Sequence, residues 1–260
     1  MLTLIGDILN WAAAGVVFPL MILPLAALAA KRGPVVGMAL WLVLVGLLVA
    51  AGGLFIALAP RLAEGPPDIP VPVLVTGLLT TLGVFLAGGP MRAIEKLTPV
   101  FETATRGAGR LVMWFVLAMA LVQFAVVILR YVFGVNFIFM QESITYMHGA
   151  VFLVAGGYAL LTNDHVRVDI FYSKASPRRR ALIDFALTYL FLFPICLLIL
   201  WAASSYVGQS WAVREGSTEQ SGIQAVFLLK SLIPLFALLM AMAGFVLAAR
   251  AGGVLRAEKT

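Results

Sequence analysis

The stretch Leu111–Phe133, LVMWFVLAMALVQFAVVILRYVF, carries a single charge, Arg130 near its end. At 1.5 Å per residue such a helix is about 34 Å long, and crossing the hydrocarbon core takes about 20 mainly apolar residues. This stretch therefore reads as a membrane span. Working outward, six more of the same kind appear: Trp11–Ala30, Val35–Ala59, Val71–Ala87, Ser143–Leu161, Leu182–Val207 and Ala225–Ala249. The expected fold is an all-α integral membrane protein of seven transmembrane helices.

Charge sets the orientation. Of the 18 lysines and arginines, alternating the connecting segments across the membrane puts fourteen on one side. They are Lys31, Arg32, Arg92, Lys96, Arg106, Arg110, Arg167, Lys174, Arg178, Arg179, Arg180, Arg250, Arg256 and Lys259. The other side holds Arg61 and Arg214, while Arg130 and Lys230 fall inside spans. Cytoplasmic segments collect Lys and Arg, so the N-terminus is expected outside and the C-terminus inside. No base precedes Lys31. A cleavable leader begins with a basic region, so the first helix is expected to be retained.

The composition is 62% hydrophobic and 12% charged, against a usual charged share of about 25%. That excludes a soluble globular class. The pI near 9.8 reflects bases gathered at one membrane face, where anionic headgroups attract them, and nucleic-acid binding is not expected. Cys196 is the lone cysteine, so a disulfide framework is excluded.

Punctuation residues divide the chain. Pro19 and Pro24 remove backbone donors within the first span and predict kinks there. The proline-rich segment from Pro60 to Pro72 predicts an outside loop. Gly88-Gly89-Pro90 ends the third span. The expected domains are 1–90, a three-helix membrane region; 91–110, a cytoplasmic connector with a short interfacial helix; 111–250, a four-helix bundle; and 251–260, a cytoplasmic tail. Within the connector, Glu102 and Arg106 stand four apart and can pair on one helical face. Ser176-Pro177 reads as an N-cap followed by proline at the first helical position. It places Arg178, Arg179 and Arg180 in a first turn, where cations oppose the helix dipole, so they read as lipid-headgroup anchors or partner contacts.

Ionisable groups inside a membrane are costly and mark function by default. Within or near the spans the polar candidates are Gln123, Arg130, Glu142, His148, Cys196 and Lys230. Arg130, Glu142 and Lys230, with Glu219 in the loop before the last span, gather at the outer level. An ion pair of Arg130 or Lys230 with Glu142 or Glu219 is expected to fix the helix ends; independent snorkelling is the alternative. Glu142, Gly149 and Gly156 recur every seven residues, hence on nearly one helical face. The two glycines permit close helix approach, to a partner subunit or within the chain. His148 and His165 are expected on opposite sides, which excludes a shared metal site. No nucleophile–base set, phosphate loop or zinc motif appears, so no catalytic residue, cofactor or metal is expected.

Several fragments in order resemble the small membrane subunit of tripartite ATP-independent periplasmic (TRAP) transporters. They are Arg130-Tyr131-Val132-Phe133-Gly134, then Gln141-Glu142-Ser143 with Tyr146, then Asn163-Asp164-His165-Val166-Arg167-Val168-Asp169. Ser217-Thr218-Glu219-Gln220-Ser221-Gly222 and Leu229-Lys230-Ser231-Leu232-Ile233-Pro234 follow. The resemblance covers about residues 105–250. It marks His165, Arg167 and Asp169 as cytoplasmic contacts. It implies a scaffold subunit in the bacterial inner membrane, packed against a large membrane subunit that holds substrate and sodium. A periplasmic binding protein supplies the substrate, an organic acid. The family's usual aromatic before the outer glutamate is replaced here by Met140-Gln141, and the resemblance does not reach residues 1–90. Two other readings compete. A self-sufficient seven-helix carrier would need a transport site within this chain. A retinal-binding protein would need a lysine near mid-depth with a carboxylate counter-ion, whereas Lys230 lies near the outer surface.

Overall fold

The computed structural model describes residues 4–29, 35–46, 71–165 and 172–257. Among them every regular element is helical and none is a strand. The helices are α1 (Leu4–Ala12), α2 (Phe18–Ala29), α3 (Val35–Gly46), α4 (Val71–Leu86), α5 (Pro90–Tyr131), α6 (Ile138–Thr162), α7 (Pro177–Leu187), α8 (Phe193–Ala212) and α9 (Val226–Ala257). Two π-helical segments, Ala13–Val17 and Thr188–Leu192, join α1 to α2 and α7 to α8. A π-turn is a local widening of the helix, and each one here comes just before a proline, Pro19 or Pro194.

Among the described residues five helical stretches are long and apolar enough to cross a membrane: Leu4–Leu28, Pro90–Tyr131, Ile138–Thr162, Pro177–Ala212 and Val226–Ala257. The other two expected spans are represented among the described residues by shorter apolar helices. The Val71–Ala87 stretch forms the 16-residue α4, about 24 Å long and short of the roughly 30 Å core. Of Val35–Ala59, the part Val35–Gly46 is a short apolar helix; residues 47–59 and the proline-rich loop to 70 lie outside the described residues.

Local chemistry explains the boundaries. Gly88 and Gly89 adopt φ of 94° and 95°, a region that glycine enters without penalty. The Gly89 N–H donates to Val84 O, closing α4, and Pro90 opens α5. Ser176 caps α7, accepting the Arg179 N–H, with Pro177 beside it as expected. Asn163 ends α6 in the left-handed conformation, φ 65°, which Asn tolerates better than most residues. The connector differs from expectation. Instead of a short interfacial helix leading into the span, α5 runs unbroken for 42 residues through Pro99. The Glu102–Arg106 pair forms at 3.0 Å on this helix. Helix also continues to Ala257, so most of the expected tail is the last two turns of α9.

The chain divides into two compact units. The first comprises 1–10, 101–167 and 192–246. Its interior holds Val112, Val154 and Leu239, with Phe115 and Leu232 packed against them. Leu161, Ala243 and Val246 form another cluster with Phe101, and Phe101 meets Phe245 edge-on at 5.0 Å. Lipid tails supply no hydrophobic drive between helices, so small residues that let backbones approach carry the packing. Ala237, Ala241 and Ala243 of α9, all buried, serve this purpose. On α5, by contrast, Leu111, Trp114, Leu121 and Phe124 are exposed, as suits an apolar face in a membrane.

The second unit comprises 11–100, 168–191 and 247–260. Its core joins Ala181 and Phe185 of α7 to Ala248 and Ala251 of α9, with Leu25 and Leu28 of α2 packed against them.

Candidate functional site

The polar residues of the first unit converge where the loop between α8 and α9 meets the N-terminal turns of α6. Glu142 is the centre. Its Oε2 accepts the Ile223 N–H at 2.5 Å, and its Oε1 accepts the Ser217 hydroxyl. One turn on, the Tyr146 hydroxyl donates to Ile223 O at 3.4 Å. Ser217 also accepts the Glu219 N–H at 3.1 Å, and Gly222 N–H donates to Glu219 O at 3.0 Å. The loop is thus folded upon itself and hung from one carboxylate.

A second latch lies beside it. Lys230 on α9 donates to Glu215 Oε2 at 2.5 Å, and its ammonium sits 4.1 Å from the centroid of the Tyr206 ring on α8. An aromatic face attracts a cation at this range. The Lys230 hydrogen bond holds the Glu215 carboxyl below its ordinary value of 4.5. Backbone bonds tie Glu215 in as well: its N–H donates to Ser210 O, and its carbonyl accepts the Phe227 N–H. Trp211 Nε1 donates to Ser231 Oγ at 2.7 Å, and the Trp211 and Phe227 rings meet edge-on at 4.7 Å.

The expected ion pairs are therefore replaced. Lys230 pairs with Glu215, which sequence reasoning did not single out. Glu142 binds a hydroxyl and a backbone amide instead of Arg130 or Lys230. The Glu219 side chain is exposed while its carbonyl organises the loop. Arg130 lies 6.0 Å from the ring centroid of its neighbour Tyr131. The reason is geometric: Glu142 faces the α8–α9 loop, whose free N–H groups and hydroxyl satisfy a carboxylate without a cation.

The heptad glycines pack within the chain. A Cβ at Gly149 would lie 3.1 Å from Leu229 Cδ1, and one at Gly156 would lie 2.9 Å from Phe236 Cε2. Both face α9. On α6 a backbone approach belongs to Gly157, where a Cβ would lie 2.9 Å from Leu239 O and 3.0 Å from Thr105 Cγ2. Gly6 of α1 likewise approaches the α8 backbone, where a Cβ would lie 2.6 Å from Ser204 O. Adjacent glycines at 156 and 157 were the available signal for the first; the heptad pattern pointed past it.

The remaining candidates lie elsewhere. His148 stacks on Phe152, with centroids 6.4 Å apart. His165 Nε2 is 3.4 Å from Gly156 O. Arg167 and Asp169 lie outside the described residues. In the second unit Arg180 turns back onto its own approach loop, donating to Ala175 O at 2.9 Å and Ser173 O at 2.6 Å, over the Tyr172 ring. Arg178 and Arg179 are exposed.

This arrangement orders a loop and joins helix ends. No curated protein and no solved structure matches the chain. A family model does match, over residues 119–252: the DctQ component of the tripartite ATP-independent periplasmic transporters. The match takes in the greater part of the apolar run in α5, the whole Glu142–Ser217–Ile223 and Glu215–Lys230 network, and α9 almost to its end. This multi-pass helical membrane protein belongs to the DctQ component family of TRAP transporters and is a transporter component, not an enzyme.

Proposed function

We propose that the chain is the scaffold subunit of a sodium-coupled, binding-protein-dependent transporter for organic acids. It packs against the large membrane subunit, which holds substrate and sodium, and a periplasmic binding protein delivers the substrate. Family membership across residues 119–252 is the observation that carries this reading. The disposition of charge agrees with it. Glu142, Glu215 and Lys230 are consumed in latching helix ends and a loop, which suits a fixed support better than a moving substrate carrier.

The chain sits in the bacterial inner membrane, N-terminus outside and C-terminus in the cytoplasm, with the helices from α5 to α9 forming the family bundle and the N-terminal helices added to it. The fourteen-to-two division of bases supports that orientation. It puts the Glu142 and Lys230 latches at the periplasmic end and Arg178 and Arg179 at the cytoplasmic headgroups.

The test is uptake in cells and in proteoliposomes. Removing this subunit should abolish transport while the periplasmic protein still binds substrate. Full uptake by the large subunit alone, or uptake by this chain alone, would contradict the scaffold role.

A further inference from the structure

Within the second unit, the most deeply enclosed helix is α2. Leu23, Pro24, Ala26 and Ala27 are essentially inaccessible, and Met21 and Ile22 nearly so. A helix buried on all sides belongs to the interior of a structure. Its backbone is also interrupted. Pro19 and Pro24 donate no hydrogen bond, so carbonyls one turn earlier lose their ladder partner. Four side chains from four other segments reach this backbone.

Thr80 of α4 places its hydroxyl 2.9 Å from Gly15 O, four residues before Pro19, and shares its proton with Thr76 O at 2.8 Å. The indole of Trp41 on α3, fully buried, donates to Pro19 O at 3.3 Å. The Tyr189 hydroxyl, in the π-segment after α7, enters the ladder itself. It accepts the Leu25 N–H at 3.0 Å and donates to Met21 O at 2.7 Å, standing between two groups that an unbroken helix would join directly. Arg256 near the end of α9 donates to Ala27 O at 3.4 Å.

Inserting a side chain into an i→i−4 ladder is a recognised cause of helix irregularity. Within a membrane an open carbonyl or amide must find a partner in the protein. In transporters, broken helices turn such groups towards a cavity; here the Thr80 hydroxyl meets Gly15 O, the carbonyl that Pro19 leaves open, while the indole, phenol and guanidinium reach other groups of the same backbone.

We propose that the interrupted N-terminal helix is the hub of this unit. The α7–α9 surface around Phe185, Tyr189, Ala248 and Arg256 is a receptor for it, and α3 and α4 attach to the same backbone through Trp41 and Thr80. The N-terminal region is then a working part of the helix packing rather than an addition at its edge. The surface it covers is closed to any other subunit. The proposal goes beyond the scaffold role and does not depend on it, because its test is read on this chain alone.

The experiment uses the purified full-length chain in mild detergent. In Tyr189→Phe the Leu25 amide should exchange about tenfold faster than in the wild type, the change that loss of roughly one net hydrogen bond produces. The thermal midpoint should fall with it. Wild-type protection at Leu25 in a folded Tyr189→Phe chain would overturn the keying role, since the ladder would have closed on itself. A second arm needs no destabilising change. In a Cys196→Ser background, Leu28→Cys and Gly252→Cys should be joined by a short bifunctional thiol reagent in native membranes, because a Cβ at Gly252 lies 3.7 Å from Leu28 Cδ2. A cross-linked peptide pair supports the seating of α2 on α9. Labelling of both cysteines without cross-linking would overturn it.

Discussion

Glu142 on α6 accepts the backbone N–H of Ile223, 81 residues further along the chain, at 2.5 Å. One carboxylate thereby fixes the loop before α9 to the start of α6, and Ser217 completes its coordination. Hydrogen bonds to a charged group contribute about 1.5–3 kcal/mol when enclosed. Glu142 is only partly buried, so Glu142→Ala should cost about 1–2 kcal/mol on that scale. Thermal unfolding of the purified chain gives the cost. The Ile223 amide should lose its exchange protection, and unchanged protection there would show that the loop holds itself.

The neighbouring latch responds to acid. Lys230 holds the folded-state pKa of Glu215 below its ordinary value of 4.5, so folding favours the deprotonated carboxylate. A depressed carboxylate pKa contributes stability above the unfolded value and loses it as pH falls through the folded one. The wild type should therefore melt above Glu215→Gln at neutral pH. The difference should shrink below pH 4.5 and vanish once the folded carboxyl is protonated. A gap that stays constant from pH 7 to pH 3 would assign the difference to something other than the charge on Glu215.

These residues show what was legible in the sequence. Apolar run length identified the helical stretches, because a span is a local property. Ser176-Pro177, Gly88-Gly89-Pro90 and the Glu102–Arg106 pair lie within one helical turn or one cap, and each was readable. The partner of Lys230 was not. Glu215 belongs to a loop, and no periodicity marks which loop carboxylate folds back. Expecting cations to seek carboxylates also misdirected Glu142, which is satisfied by an amide and a hydroxyl. Pro19 announced a missing donor in the first helix, but nothing local named Thr80 as the group that meets Gly15 O, or Tyr189 as a second contact to this backbone. The connector reads as a short helix followed by a span, whereas α5 is continuous through Pro99. The helix carries it, with the Thr98 hydroxyl donating to Ile94 O at 2.7 Å.

Topology yields a further prediction. In the proposed orientation the inside-facing segments contain fourteen of the eighteen bases, and Lys and Arg near span ends hold a segment in the cytoplasm. A reporter active only in the cytoplasm should be active when fused after Ala257 and silent when inserted within 60–70. Activity at both sites would mean that the region containing α3 and α4, two helices too short in their described lengths to cross unaided, makes one crossing fewer than the charge pattern requires.

The glycines of α6 provide a graded test of how this helix packs. At Gly157 an added methyl meets Leu239 O at 2.9 Å on one side and Thr105 Cγ2 at 3.0 Å on another. Backbone cannot rotate away, so Gly157→Ala should cost about 1–3 kcal/mol, the usual range for overpacking. At Gly156 the obstacle is the edge of the Phe236 ring, which can shift, and Gly156→Ala should cost less. At Gly149 it is the tip of Leu229. Replacing a mid-helix glycine by alanine gains roughly 0.5–1 kcal/mol of backbone entropy, so Gly149→Ala should be near neutral or stabilising. Leucine at either heptad position has no room against α9 and should destabilise. The measurement is the thermal midpoint of the isolated chain, beside co-purification of the large subunit. All three glycines meet residues of this same chain, so partner retention should fall only where the midpoint falls. A Gly149→Leu or Gly156→Leu chain with an unchanged midpoint that no longer retains the large subunit would place these glycines at a subunit interface and refute their packing against α9.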